Sequence, residues 1–428
     1  MCGIAGFLDH HNIITETHLK NASATLIHRG ASTSGIIFEK KEHYTLGIAN
    51  ESFAILDLSE KAQQPLTSAC GNYSITFNGT IFNYLALRET LIKYGVTFST
   101  LSETEVILEN YKKWGYKSFE KLDGSFAFAI IDRKLNQLLV ARDEIGAKPI
   151  YYIKNKHFYC FASEIRVLLS FPTVEKKINK NAVRTFFKHS NFIGEETIYE
   201  DIFKFKKGTL TTIDLHSGNS YNSPLVMKKP QHINYELTEN EILANIQELL
   251  TESILKRNAT NVNVGILLDG DYDTAYVAAI LQKNQTKRIK TFSVAFKYQK
   301  LNKTPQTQKI AAFLKTNHQE YYLDKTEALR VAKNLVDAFD EPVGNWDAIP
   351  LLFIAEKVHK GVKVLLSAAG CDELFGGHTG YAKAIKLHSL EKAKIPKVLL
   401  NILKFYFSKT DIKLKAALQK KNLLNKYF

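Results

Sequence analysis

Cysteine is scarce in this chain of 428 residues: Cys2, Cys70, Cys160 and Cys371 lie far apart, with no C-x-x-C pair. Such spacing offers neither a zinc site nor a disulfide framework, and it suits a reducing cytoplasm. Glycine (22) and proline (9) are too few for a collagen-like or linker-dominated protein. No run approaches the roughly 18 apolar residues that a membrane-spanning helix needs, so no membrane span is expected. The opening MCGIAGFLDHHN has no basic leader and only a short apolar stretch before Asp9, unlike a secretory signal. What remains is ordinary for a folded protein: 45% hydrophobic and 23% charged residues. At about 150 residues per domain, the length suggests two or three domains.

The net charge of +14 is local. From Tyr381 to Phe428, twelve lysines stand against Glu391 and Asp411, which leaves the preceding residues close to balance. A nucleic-acid binder distributes its basic residues differently, and none is expected as a partner. The apolar residues among these lysines at 398–407 fit the packing helix of a C-terminal bundle, or alternatively a membrane-surface or partner-binding helix.

Two rhythms divide the chain. Up to about residue 173, aromatic and β-branched runs (YSITFNGTIFNY, SFAFAIID, LNQLLVARD, KHFYCFASE) alternate with turns. Helical stretches fall near 17–25 and 85–94, and the pattern predicts a layered, antiparallel α+β domain over 1–173. Residues 174–235 form a connecting segment with one further strand, GTLTTIDLH. From Glu239, apolar residues recur at helical spacing, and then strand, loop and helix repeat at VNVGILL, KTFSVAF and GVKVLLS. This alternation predicts an α/β domain with a parallel, nucleotide-binding type of sheet over 236–385. A lysine-rich helical tail is expected over 386–428.

Cys2 is the first residue with chemistry. Removal of Met1 would expose an α-amine with a pKa near 8, which can take the thiol proton directly or through water. The small residues Gly3, Ala5 and Gly6 permit close backbone approach there.

MCGIAGF, HRG at 28–30, FNGTIFNY at 77–84, LDGSFAFAIID at 122–132, ARDEIGAKPIYY at 141–152 and FASEI at 161–165 occur in order. Together they resemble the class II (Ntn-hydrolase-like) glutamine amidotransferase domain, in particular that of the glutamine-dependent asparagine synthetases. The resemblance implies that Cys2 attacks the glutamine side-chain amide and releases ammonia through a thioester, with Asn78 and Gly79 as the oxyanion hole. It also implies three altered substrate contacts. Ser52 stands where an arginine grips the glutamine carboxylate, Thr80 replaces the acid that binds the α-amine, and Glu103 replaces an aspartate. Loss of a bidentate arginine–carboxylate pair removes about 1.5–3 kcal/mol of binding. Weak glutamine binding is therefore expected.

In the second half, VNVGILLDGDYDTAYVAAI (262–280) resembles the family's pyrophosphate-binding loop. DEPVGNWDAIP (340–350) and GVKVLLSAAGCDELFGGHTGY (361–381) resemble two further synthetase segments. By resemblance, ATP would contact Leu267, Asp269, Gly270, Asp271, Asp273, Thr274, Val294, Ser367 and Gly370, and Mg2+ would sit on Asp273 and Asp372. Asp269 and Asp271 replace a serine and a glycine of the family's loop. A carboxylate about 5 Å from a phosphate charge costs about 3 kcal/mol at an effective dielectric near 20. Weakened ATP binding is the expectation, unless a recruited metal screens the repulsion. Ala369 stands where the family has an acid serving the acyl-adenylate step, and the family's further C-terminal segments have no counterpart after Tyr381.

The implied reaction is ATP-dependent transfer of glutamine nitrogen to aspartate or a similar acid, with activity expected to be impaired. The alternative is a non-catalytic paralogue that binds or regulates on the same scaffold. A homodimer is implied by analogy with the family.

Overall fold

The computed structural model describes residues 2–30, 32–52, 57, 59–172, 174–225, 236–258, 262–296 and 303–378, with a few more positions up to 388. The lysine-rich tail and the segment 53–56 following Ser52 lie outside the described residues. The chain forms two compact units. The first is Met1–Ala182 with Ile193–Val262 and Val336–Pro342; the second is Val183–Phe192 with Asn263–Leu335 and Val343–Phe428.

The first unit holds two six-stranded antiparallel sheets. One has the order β10 (Ile202–Lys204), β8 (Tyr151–Lys154), β9 (Phe158–Ala162), β1 (Gly3–Asp9), β3 (Thr45–Ser52), β2 (Thr33–Lys40). The other runs β12 (Ser220–Pro224), β11 (Thr209–Asp214), β7 (Gln137–Arg142), β6 (Gly124–Asp132), β5 (Tyr73–Ile81), β4 (Leu66–Thr67).

Side chains alternate across each strand, and the sequence uses both faces. On β1, Ile4 and Leu8 meet Ala127, Ala129 and Ile131 of β6 between the sheets. Ala5 and Phe7 point the other way, onto Leu19 and Ala22 of α1 (Glu16–Ala24) and Ile165 and Leu168 of α4 (Ile165–Leu168). On β6, Phe126, Phe128 and Ile130 face Leu87 and Leu91 of α2 (Tyr84–Lys93) and Val106 and Leu108 of α3 (Glu103–Trp114). The outcome is helix, sheet, sheet, helix: the layered α+β domain that the strand pattern predicts. Helix α3 is an addition to that reading. Ser102 caps it through the Glu105 N–H, and residues 103–111 are all buried. Its apolar residues Val106, Ile107, Leu108 and Tyr111 join the core, and the polar Glu103, Glu105 and Glu109 among them are buried with it.

Helices α5 (Lys180–His189) and α6 (Glu239–Asn258) follow. The second unit carries a parallel sheet, β15 (Asn317–Leu323), β14 (Lys290–Phe296), β13 (Val264–Leu267), β16 (Val364–Leu366). Helices α7 (Tyr272–Lys283), α8 (Thr304–Leu314), α9 (Lys325–Ala338) and α10 (Ala348–Val358) connect the strands, and short α11 (Cys371–Phe375) follows β16. The three strand–loop–helix repeats form as expected, with β15 as a further strand. Because β13 and β16 are parallel neighbours, the loops that leave their C-terminal ends lie at the same edge of the sheet, where α/β proteins place ligands. Among the described residues no helix is long and apolar enough to cross a membrane.

Candidate active sites

Cys2 sits immediately before β1, and the start of that strand is held from two sides. The Ile4 N–H donates to Ser163 Oγ at 3.0 Å, and the Ser163 N–H donates to the Ile4 carbonyl at 2.8 Å. Arg29 Nε donates to the Cys2 carbonyl at 3.4 Å, while Arg29 Nη1 and His28 Nε2 meet Glu164 Oε1 at 2.8 and 2.9 Å.

Asn78 lies on β5 on the same face as Thr76, whose hydroxyl reaches Asn50 of β3 at 2.9 Å; this face therefore looks into the space between the sheets. Asn78 is 1% exposed, and neither its Nδ2 nor its Oδ1 has a hydrogen-bond partner among the described residues. Buried polar atoms are almost always paired, so an idle amide is a signal of function. It leaves a donor in place for an oxygen that gains negative charge. Gly79 is required by close approach: a Cβ there would stand 2.3 Å from the Ser125 carbonyl oxygen on β6. Gly79→Ala is expected to lower stability by about 1–3 kcal/mol in chemical denaturation, as overpacking does.

Ser52 is buried, and its hydroxyl donates to Asn50 Oδ1 at 2.6 Å, inside a polar network with Thr76 and Gln64. Thr80 is half-buried on β5 opposite Ser125. Glu103 opens α3, and its carboxylate accepts the Ile81 N–H at 3.1 Å. Burial pushes the Glu103 carboxyl up to about 8, against the opposing Ile81 N–H and Lys148 ammonium. A carboxyl raised in the folded state binds its proton more tightly there than in the unfolded chain. Stability is therefore lost as pH rises from about 4.5 through 8. Glu103→Gln is expected to stabilise the protein by about 2–4 kcal/mol above pH 8 and to change little at pH 5, read from denaturant melts at both values.

Lys148 belongs to the same cluster, although only its segment, ARDEIGAKPIYY, stood out in the sequence. Asp143 gathers the backbone N–H groups of Gly146, Ala147 and Lys148 at 2.7, 3.0 and 3.3 Å. Arg142 grips the Lys148 and Gly146 carbonyls at 2.9 and 2.8 Å. This arginine–aspartate clamp explains the motif: it fixes the loop that carries Lys148. Burial, then the Arg29 guanidinium, holds the Lys148 ammonium below its usual pKa, while Asp143, Cys2 and Glu103 pull the other way. Lys148 thus lies within electrostatic reach of both the thiol and Glu103.

In the second unit, Leu268 to Asp271 link β13 to α7. Gly270 adopts φ +89°, a left-handed backbone that favours glycine. The Asp269 carboxylate turns into its own loop: Oδ1 accepts the Asp271 N–H at 3.0 Å and the Thr274 hydroxyl at 2.5 Å. These donors, at the start of a helix, are of the kind that such loops offer to phosphate. Asp271 forms an ion pair with Lys303, a residue the loop's sequence does not point to. The Asp271 hydrogen bond leads the influences that raise the Lys303 ammonium pKa, and Asp269 and Asp273 add to it. Burial, then Asp269 and also Asp372, raises the Asp273 carboxyl.

Asp273 and Asp372 therefore sense each other, yet among the described residues no three His, Cys, Asp or Glu side chains gather to hold a metal. Ser367 and Gly370 are exposed in the loop after β16, and the Leu267 and Val294 side chains pack against Phe292 and Ile354. In this arrangement the loop's own carboxylates, Asp269 and Asp271, engage the Asp271 N–H, the Thr274 hydroxyl and the Lys303 ammonium.

Residues 1–222 match the glutamine amidotransferase domain family, and residues 245–427 match the asparagine synthase family. Similar curated proteins include "Putative asparagine synthetase (glutamine-hydrolyzing) 2" of Methanocaldococcus jannaschii, 29% identical over 93% of this chain and 79% of its own length. Asparagine synthetase (glutamine-hydrolyzing) 1 of Bacillus subtilis is 29% identical over 94% of this chain. The match spans 63% of that relative, so this chain covers less than two thirds of its length. Among solved structures, glutamine phosphoribosylpyrophosphate amidotransferase from B. subtilis, complexed with ADP and GMP, matches at 15% identity and a TM-score of 0.40. That match covers 75% of this chain and 81% of the other. The chain belongs to the glutamine-hydrolysing asparagine synthetase family.

Proposed function

We propose that this chain retains a Cys2-dependent amide-cleaving site and has lost, or all but lost, the ATP-dependent step that would use the released ammonia. The observation that carries the second part is the Asp269 carboxylate seated on the Asp271 N–H and the Thr274 hydroxyl. A nucleotide must displace that carboxylate and then meet its charge. The first part is supported by the idle Asn78 amide between the sheets and by the cations Arg29 and Lys148 near Cys2. Cys2 is the nucleophile, Asn78 the oxyanion donor, and Arg29 and Lys148 the local positive charge. Glutamine binds poorly, since Ser52 is a short neutral side chain engaged with Asn50 and Thr80 offers no charge to an ammonium group.

The test is paired. Purified protein is supplied with glutamine, ATP, magnesium and aspartate, and ammonia and pyrophosphate are assayed separately. Slow, Cys2-dependent ammonia release without pyrophosphate is the expected result; stoichiometric pyrophosphate would show a working ligase. Absence of both products would favour a non-catalytic binding or regulatory protein on this scaffold.

A further inference from the structure

Glu164, the residue just before α4, serves two arginines with opposite tasks. Its Oε1 holds Arg29 and His28, and Arg29 donates onward to the Cys2 carbonyl. Its Oε2 lies 3.1 Å from Arg166 Nε. Arg166, however, spends that N–H on a competitor: Nε donates to Asp340 Oδ1 at 2.6 Å, and the Arg166 backbone N–H donates to Asp340 Oδ2 at 3.2 Å. Arg166 Nη2 also donates to the Asp337 carbonyl at 2.8 Å. Glu164 Oε2 is consequently buried without a hydrogen bond among the described residues, and so is Arg29 Nη2. All four side chains are shielded, with Glu164 11%, Arg29 12%, Asp340 12% and Arg166 30% exposed.

We infer that Arg166 is a positioning residue for the Cys2 site, acting through Glu164 and Arg29, and that Asp340 controls it by competing with Glu164 for one guanidinium N–H. The inference rests on the reading of Cys2 as the reactive thiol. Two carboxylates and one shared donor make a device with two arrangements. With Asp340 docked, Arg166 screens Glu164 only by proximity, and Glu164 draws on Arg29. With Asp340 withdrawn, Arg166 turns its N–H to Oε2 and satisfies Glu164, which releases Arg29 to act on Cys2. Asp340 opens the Asp340–Glu341–Pro342 run that follows α9, and Glu341 anchors the same run by accepting the Ile198 N–H at 2.9 Å. Movement of this run is thereby transmitted to the thiol. Lys148 supplies a second positive charge near Cys2, so the device modulates reactivity without switching it off.

The two partners of Arg166 predict opposite effects, which simple loss of structure does not produce. Iodoacetamide labelling of Cys2 in the full chain at neutral pH is followed by peptide-resolved mass spectrometry. Cys160, fully buried, is the internal reporter of unfolding. Arg166→Gln leaves Glu164 uncompensated and slows Cys2 about fivefold, whereas Asp340→Asn speeds it by a similar factor, the scale of coupling between residues in one charged network. The double variant behaves as Arg166→Gln alone, and Arg166→Lys restores the parent rate to within about twofold. Cys160 stays unlabelled throughout. Equal rates in all variants, shifts of the same sign in both single variants, additive effects in the double, or Cys160 labelling that rises with Cys2 would each overturn the inference. Failure of the parent to cleave any amide is a separate result that bears on Cys2 as a catalyst; the labelling rates report the ionic chain with or without turnover.

Discussion

Replacing Asp269 with serine and Asp271 with glycine is expected to confer Mg-ATP binding on this protein, with a gain in affinity of about 10²–10³ over the parent. The two substitutions do not contribute equally. The charge of Asp271 is offset by its ion pair with Lys303. That of Asp269 is met by two neutral donors, the Asp271 N–H and the Thr274 hydroxyl. At about 5 Å from a phosphate, one carboxylate costs about 3 kcal/mol at an effective dielectric near 20, and exposure to solvent reduces that figure. Asp269→Ser alone should supply the larger part, since it removes a charge and frees two donors together. Asp271→Gly adds less, and it releases Lys303 as a cation at the mouth of the loop. Titration calorimetry of both single variants and the double checks the ordering. A double variant as indifferent to nucleotide as the parent would mean that the obstacle lies elsewhere than at these two carboxylates.

The second large effect belongs to Asn78. Asn78→Ala should lower the rate of amide cleavage by about 10²–10³, the usual cost of removing one oxyanion donor. The same change should leave stability unharmed. An idle buried amide carries an unfavourable desolvation term of about 1–3 kcal/mol, which its removal relieves, and the small cavity left behind returns part of that gain. The expected pairing is lost activity with an unfolding free energy equal to the parent's or higher by about 1 kcal/mol. A loss of more than about 2 kcal/mol would show that Asn78 is a structural residue with partners in solution.

Much of this was legible in the residues. Aromatic and β-branched runs such as SFAFAIID and YSITFNGTIFNY, separated by turns, gave away the layered antiparallel domain. The strand–loop–helix repeats announced the parallel sheet. Cys2, Asn78 and Gly79 were singled out by their motifs, and Gly79 and Asn78 acquired physical reasons only from neighbours distant in sequence: Ser125 across the ladder and the space between the sheets.

Two features had no local signal, and a third, Lys148, had only the motif around it. Lys148 matters because Arg142 and Asp143 hold its loop beside residues 2 and 103, a meeting no spacing rule contains. Lys303 lies 32 residues from Asp271, beyond the reach of a loop motif. Arg166 reads as an ordinary surface cation until the fold brings Asp340 to it across 174 residues. For Asp269 the sign of the charge was visible, but the direction of the carboxylate was not. Repulsion of a phosphate was the expectation; occupation of the loop's own donors is a further obstacle that emerges from the geometry.

Titration calorimetry of the unaltered protein with Mg-ATP at physiological ionic strength puts the most direct question to the claim that this loop is filled by its own side chain. The account predicts no saturable heat up to millimolar nucleotide. A saturable isotherm with a micromolar dissociation constant would contradict it, because Asp269 would then yield its donors readily and the chain would bind the nucleotide its family name implies.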